Sequence, residues 1–204
     1  SGGMAETYIE AFLEVRDIKQ VRVFSRSAAK RQFFASQMRD KHGIDVIAVD
    51  TAEKAVRGAD IVASCTNAMT PTIDAEWLEP GMHVTDVNNK EISAEAFARF
   101  DVAIRQGMDE LPMQDHGQFV KGIGKSPGAY VSGTPEEQRR LPAVTGEKRD
   151  ARTMNNFIDL ADGTVPGRET ETQITYYYNS GYNGLQFAAV GGAVYEACKA
   201  NGLG

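Results

Sequence analysis

Hydrophobic residues recur with two alternating spacings along the first hundred positions of the chain. Within 5–15, Tyr8, Ile9 and Phe12 fall on one side of a helix, whereas 20–25 (QVRVFS) is rich in strand-forming residues. Further strands are predicted at 45–50, 59–66, 82–87 and 101–106, and helices at 28–42, 52–58 and 94–100. This alternation predicts an α/β fold with a doubly wound, mostly parallel sheet.

The rest of the chain is less regular. Residues 107–150 are rich in glycine and proline without a period, which predicts irregular, mobile structure around short helices. Beyond them, the pattern predicts a helix at 154–163, a strand within 166–178 and a final helix at 183–200.

The composition is that of a globular protein, with 42% hydrophobic and 25% charged residues. The sequence contains no apolar run of about 18 residues, which predicts no membrane span. The net charge of −6 argues against non-specific nucleic-acid binding. Cys65 and Cys198 lie far apart, which favours reduced, buried thiols and a cytoplasmic location, and no histidine pattern indicates a metal site.

The chain begins with part of a phosphate-binding pattern. The stretch SGGMA fits the second to sixth positions of G-x-G-x-x-A, in which the middle glycine lets the backbone approach a pyrophosphate at a helix N-terminus. The predicted cofactor contacts are Ser1, Gly2, Gly3, Met4 and Ala5. The first glycine would precede Ser1, so we expect a longer protein cut inside its nucleotide turn. An expression remnant or a flexible terminus is the alternative.

The end of the strand at 20–25 predicts the type of nucleotide. An acidic residue that binds the NAD ribose is expected there, but the sequence has Ser25, Arg26 and Ser27. A guanidinium and two hydroxyls suit a 2′-phosphate, which favours NADP(H), with NAD(H) as the second choice. Alternatively, Arg26 is a solvated charge and Ser27 a helix cap.

Polar residues also follow two later strands. Thr66 and Asn67 follow the strand at 59–66, and ligands of open α/β sheets bind at such carboxyl ends. Both residues are therefore predicted to contact the cofactor, an ordinary polar turn being the alternative. Cys65, without a nearby base in the sequence, is interpreted as a packing residue.

The strand at 82–87 ends in a similar way. Val87, Asn88 and Asn89 are predicted to face the nicotinamide or the substrate, although asparagine also suits a turn. Lys90 is a candidate acid or substrate clamp if it is buried, and a solvated charge otherwise.

Several blocks in the same order resemble the ornithine cyclodeaminase/mu-crystallin family. Residues 1–27 look like its G-S-G-x-Q-A turn, helix and second strand, and 49–87 is similar to its GADIV…WLxPGxHV run. Residues 160–177 (LADGTVPGRETETQITYY) resemble its PGR block, and Gln186, Val194, Tyr195 and Glu196 echo its last helix.

The resemblance implies a homodimer of two-domain subunits in which a Rossmann domain binds NAD(P)(H). It divides this chain into a Rossmann-like part at 1–165 and a strand and helix at 166–204 that return to an upstream domain. It also places Asn179 and Gly181 near the nicotinamide. Basic substrate-binding residues would lie upstream, and the family's aspartate has no match near Asn89 and Lys90, so the catalytic residues are unassigned.

The resemblance implies an NAD(P)-dependent enzyme that transfers a hydride at the α-carbon of an amino acid or cyclic imine. Cyclodeaminase, imine reductase and amino-acid dehydrogenase remain open, and the expected partner is a small molecule. One alternative is a non-catalytic NADP(H)-binding protein of the mu-crystallin type, which the unmatched aspartate favours. Another is a domain that serves assembly alone.

Overall fold

The computed structural model describes residues 2–66, 68, 70–87, 90–107, 153–179 and 184–203. Its helices are α1 (Gly3–Val15), α2 (Ala28–His42), α3 (Ala52–Val56), α4 (Ala94–Phe97), α5 (Phe157–Ala161) and α6 (Gly184–Ala200). Its strands are β1 (Gln20–Val23), β2 (Asp45–Ala48), β3 (Ile61–Ser64), β4 (His83–Asp86), β5 (Val102–Arg105), β6 (Asn155–Asn156) and β7 (Thr175–Tyr178). Residues 108–150, nearly all of the segment expected to be irregular, lie outside the described residues.

All of these strands pair in parallel. β1 pairs with β2, and a second sheet has the order β3-β4-β7-β5-β6. Parallel strands joined through helices confirm the predicted α/β fold. β7 is last in sequence but lies between β4 and β5, so the C-terminal part of the chain contributes a central strand. The division into 1–165 and 166–204 stays a prediction.

Local sequence sets the ends of several helices. The Ser27 hydroxyl accepts the Lys30 N–H at 3.3 Å and caps α2, and Gly43 ends this helix in the left-handed conformation with φ of 66°. The predicted helix at 154–163, in contrast, begins only at Phe157. Asn155 and Asn156 instead extend the sheet as β6 because they pair with the end of β5.

Two apolar clusters stabilise the fold. In the larger one, the ring of Tyr176 is buried on β7 and stacks on Phe100, with the ring centroids 4.6 Å apart. The smaller cluster contains Phe34 and Met38 of α2 and packs against Ala5 and Ile9 of α1. Helix α1 is thereby fixed against α2 and the two-stranded sheet.

Helix α6 presents apolar side chains to solvent. Phe187 is 74% exposed, and Val190, Val194 and Tyr195 are also exposed on the same side of the helix. No helix in the described ranges is both long and apolar enough to span a bilayer.

The unfolding free energy is expected to depend on His83, which begins β4. Its Nδ1 lies 2.8 Å from the Thr175 hydroxyl, and burial, followed by the charges of Arg168 and Arg16, lowers its pKa. Below about pH 6.5 the unfolded histidine binds a proton that the folded one does not, so stability falls as the pH decreases. Urea unfolding between about pH 5.5 and pH 7.5 should show this fall weakened in His83→Gln. An identical pH dependence in both proteins would contradict the assignment.

Candidate nucleotide-binding site

Three strand ends meet at one edge of the five-stranded sheet. Because the strands are parallel and in register, Ser64, Asp86 and Tyr178 lie side by side at the carboxyl ends of β3, β4 and β7. Thr66, Val87 and Asn179 come one or two residues later in the chain. The structure therefore brings these three predicted contacts to the same edge, where ligands of open α/β sheets bind.

The N-terminus of α1 has the features of an anion site. Gly2 is the N-cap residue in an extended conformation, and no side chain caps the helix. The first N–H groups of a helix have no partner within it and carry positive partial charge. A Cβ atom added at Gly2 or Gly3 would meet no atom within 4 Å. Packing within the described residues thus does not require glycine at either position, and the space beside the backbone is open.

Helix α1 is linked directly to the carboxyl edge of the sheet. The Tyr8 hydroxyl, on its second turn, accepts the Asn179 Nδ2–H at 2.7 Å. Burial raises the pKa of Tyr8, so its phenol stays neutral in the physiological range. In turn, Asn179 Oδ1 accepts a 3.5 Å hydrogen bond from Gln186 of α6. Helix α1 and the end of β7 are therefore joined by a hydrogen bond.

A buried carboxylate lies behind the ends of β3 and β4. The two oxygens of Glu91 accept backbone N–H groups from Thr66 at 2.7 Å and from Val87 at 3.2 Å. Burial raises the pKa of Glu91, and hydrogen bonding to Thr66 acts in the opposite direction. Next to it on β4, Asp86 is fully buried and its Oδ1 accepts the Tyr176 hydroxyl at 2.8 Å.

The Ser25–Ser27 turn leaves a guanidinium exposed. The Ser25 hydroxyl donates to the Ser27 carbonyl at 3.3 Å, and Arg31 donates to the Ser25 carbonyl at 3.0 Å. Ser27 caps α2, as the alternative interpretation of this residue proposed. Arg26 is exposed and takes part in none of the ion pairs found among the described residues. The turn is ordered by its own hydrogen bonds, and Arg26 faces solvent.

Cys65 is not an activated nucleophile. Burial, followed by the negative charge of Glu91, raises the pKa of its thiol to about 12. The thiol is therefore protonated at neutral pH and unreactive, in agreement with its interpretation as a packing residue. Both cysteines are free, but they are partly rather than fully buried. Within the described ranges, no three acidic, histidine or cysteine side chains are grouped as metal ligands.

Some predicted contacts are not placed by the structure. Ser1, Asn67, Asn88, Asn89 and Gly181 lie outside the described residues, and their roles stay predictions. Of the other predicted residues, Met4 is exposed, Ala5 packs against the smaller apolar cluster and Lys90 is partly buried.

Sequence reasoning did not identify Tyr8 or Glu91 as part of this edge. Tyr8 lies in an apolar helical stripe, so the pattern favours packing, and its partner is 171 positions away. Glu91 follows a run of polar residues that reads as a solvated turn. Its position a few residues past the end of the buried strand at 82–87 was the one feature of the sequence that could have indicated a place at this edge.

The sequence is similar to a known protein family and to several curated proteins. The sequence profile of the ornithine cyclodeaminase/mu-crystallin family matches residues 1–202. A Rhizobium meliloti protein named as a dehydrogenase is 40% identical over 173 residues, which cover 82% of this chain and 50% of that protein. A Δ1-pyrroline-2-carboxylate reductase of Bacillus cereus is 28% identical over 204 residues, 100% of this chain and 57% of the reductase. The chain therefore spans about half the length of these relatives.

A solved structure shares the fold. The Thermococcus litoralis Δ1-pyrroline-2-carboxylate reductase, in complex with NADH and L-proline, superposes with a TM-score of 0.72 at 21% identity, covering 100% of this chain and 57% of that one. The match of the family profile to nearly the whole chain confirms the resemblance seen in the separate sequence blocks. The chain belongs to the ornithine cyclodeaminase/mu-crystallin family.

Proposed function

We propose that this part of the protein binds a nicotinamide dinucleotide along the carboxyl edge of its sheet. The observation that carries the proposal is the contact of helix α1, whose N-terminus at Gly2 is uncapped, with the edge formed by the ends of β3, β4 and β7, through Tyr8 and Asn179. The diphosphate accepts hydrogen bonds from the N–H groups of Gly3 and Met4. The nicotinamide half lies along Thr66, Val87 and Asn179.

Family membership supports a role in hydride transfer at a carbon–nitrogen bond. A bound nicotinamide supplies or accepts the hydride, and this chain's residues orient it and exclude water. The Bacillus cereus relative is named as a Δ1-pyrroline-2-carboxylate reductase, which favours a cyclic imine as the substrate class. The intact protein is thus proposed to interconvert a cyclic imine and the corresponding amino acid, as a homodimer.

The intact protein should oxidise NADPH when a cyclic imine carboxylate is added, with loss of NADPH absorbance as the measurement. Turnover with an imine or amino-acid substrate supports the enzyme. Saturable NADPH binding without turnover on any such substrate would instead support a non-catalytic binding protein, which the absence of the family aspartate in the Val87–Glu91 stretch favours.

The nucleotide preference is proposed to rest on Arg26. Its exposed guanidinium lies in a turn that follows β1, without an acidic residue that would repel a 2′-phosphate. A hydrogen bond to a charged group contributes about 1.5–3 kcal/mol, so Arg26→Ala should weaken NADPH binding by about 10- to 100-fold. NADH binding should change by less than about threefold, because NADH lacks the 2′-phosphate.

Calorimetric titration of both nucleotides measures this difference. Arg16→Ala is the matched control because Arg16 is an exposed arginine after the C-terminus of α1. It removes the same charge away from the Ser25–Ser27 turn, and both affinities should be retained. An equal loss of NADPH and NADH binding in Arg26→Ala would rule out selection through the 2′-phosphate.

The exposed face of α6 is proposed to pack against the other half of the intact protein. Support comes from the exposed apolar stripe that includes Phe187 and Val194, and from relatives about twice as long as this chain. The open edges of β1 and β3, each paired with one strand among the described residues, likewise support a further strand that precedes the phosphate turn.

A further inference from the structure

One buried carboxylate bonds to the backbone of two strand ends. Glu91 is 0% exposed, and each of its carboxylate oxygens accepts one backbone N–H. The donors are Thr66, after β3, and Val87, after β4, at 2.7 and 3.2 Å. Both residues follow the last paired residues of their strands. The Val87 N–H also donates to the Ser64 carbonyl of β3 at 3.2 Å, so Val87 is held by both Ser64 and Glu91, whereas the Thr66 N–H donates to Glu91.

The backbone of Glu91 is held in place by the Thr72–Ile73 segment. Its carbonyl oxygen accepts the Thr72 N–H at 2.8 Å, and the next residue, Ile92, forms a parallel bridge with Ile73. The Thr72 hydroxyl also lies 3.0 Å from that of Ser64 at the end of β3. The backbone that carries the Glu91 carboxylate is therefore held by these backbone hydrogen bonds.

We infer that Glu91 is a positioning residue that sets the distance between the Thr66 and Val87 ends of the nucleotide site. Its hydrogen bonds to the Thr66 and Val87 amides hold these ends where the nicotinamide half of the dinucleotide lies. The adenine half lies at the Gly2 and Ser25–Ser27 turns, so its binding does not depend on the hydrogen bonds of Glu91. The inference rests on the proposed dinucleotide site. It adds that Glu91 supports binding of the nicotinamide half and not of the adenine half.

Glu91→Gln separates these roles in the intact protein. The carboxamide has the same shape, but its NH₂ group meets a backbone N–H in place of an acceptor oxygen, so one of the two hydrogen bonds is lost. We expect NADPH affinity to fall about 10-fold, as for one lost hydrogen bond in a buried site. Affinity for 2′,5′-ADP, which lacks the nicotinamide half, should be unchanged.

Glu76→Gln is the matched control, since it makes the same replacement at an exposed glutamate on the 3₁₀ turn Ala75–Trp77. It should leave both affinities unchanged. An unchanged NADPH affinity in Glu91→Gln, or an equal loss for both ligands, would overturn the inference, because a merely structural residue would not discriminate between them. Failure of the wild-type protein to bind either ligand would overturn the dinucleotide site itself, a distinct result.

Hydrogen exchange of the wild-type protein gives a test that does not depend on a variant. The amide of Thr66 should exchange slowly without nucleotide, because Glu91 accepts its hydrogen bond. The Val87 amide does not report on Glu91 alone, because it also donates to the Ser64 carbonyl. Rapid exchange of the Thr66 amide in the folded protein would show that the contact is not maintained and would overturn the inference.

Discussion

Replacing Gly2 with aspartate is expected to lower NADPH affinity by about 100-fold, or about 2.7 kcal/mol, without destabilising the protein. Aspartate is a better N-cap than glycine by a few tenths of a kcal/mol, and α1 has no side-chain cap. The extended conformation of Gly2 is open to any residue, and a Cβ would meet no atom within 4 Å. Helix stability should therefore be retained or rise slightly.

The binding loss has an electrostatic origin. A carboxylate at the N-cap occupies the N–H groups that the diphosphate needs and brings a negative charge next to it. Two unit charges about 4 Å apart repel each other by about 4 kcal/mol at an effective dielectric constant of 20, before screening by salt. Opposite effects on stability and on binding are the signature of an anion site, since a folding defect would lower both.

Ala11→Asp provides the control on the same helix. Ala11 is exposed about two turns from the N-terminus of α1, and the substitution makes the same change in net charge. NADPH affinity should fall less than about threefold, because the charge lies beyond the first turn and is screened. Equal affinities of wild type and Gly2→Asp, measured by calorimetric titration, would contradict the phosphate site.

Gly81→Ala is expected to lower the free energy of unfolding by about 3 kcal/mol. Gly81 precedes β4 with φ of 88°, a conformation that costs other residues about 1–2 kcal/mol. A Cβ there would also lie 2.8 Å from the backbone oxygen of Glu171, which cannot move without disturbing the segment before β7. Arg168 Nη1 also donates to the Gly81 carbonyl at 2.7 Å and further restricts this position. The overlap adds about 1–3 kcal/mol.

Gly163→Ala isolates the contribution of this close contact. Gly163 has a similar φ of 79°, but a Cβ would meet no atom within 4 Å. Its cost should be the backbone contribution alone, about 1–2 kcal/mol. Urea unfolding of both variants measures the difference, and equal losses would show that the contact with Glu171 does not limit the position.

Features set by local sequence were predictable. The caps at Ser27 and Gly43 follow from short-range hydrogen bonding and backbone conformation, and the apolar run at 59–66 contains β3. The alternation of helices and strands was sufficient for the α/β fold. The phosphate motif at Gly2 is also local, but the role of Gly2 stays a prediction.

Features that depend on distant partners were not predictable. The two residues of β6 are a strand because β5 lies beside them, and the position of β7 between β4 and β5 depends on contacts across the whole chain. Glu91 lies in a polar stretch, so its burial follows from the fold rather than from its neighbours. The contact between Tyr8 and Asn179 likewise arises only once α1 meets the end of β7.

The backbone amides of Gly3 and Met4 test the central claim most directly. In ¹H–¹⁵N spectra of the intact protein, titration with NADPH should shift both resonances in parallel with saturation, as expected for N–H groups that donate to a diphosphate. A saturable NADPH response elsewhere in the spectrum, with the Gly3 and Met4 amides unchanged, would contradict it.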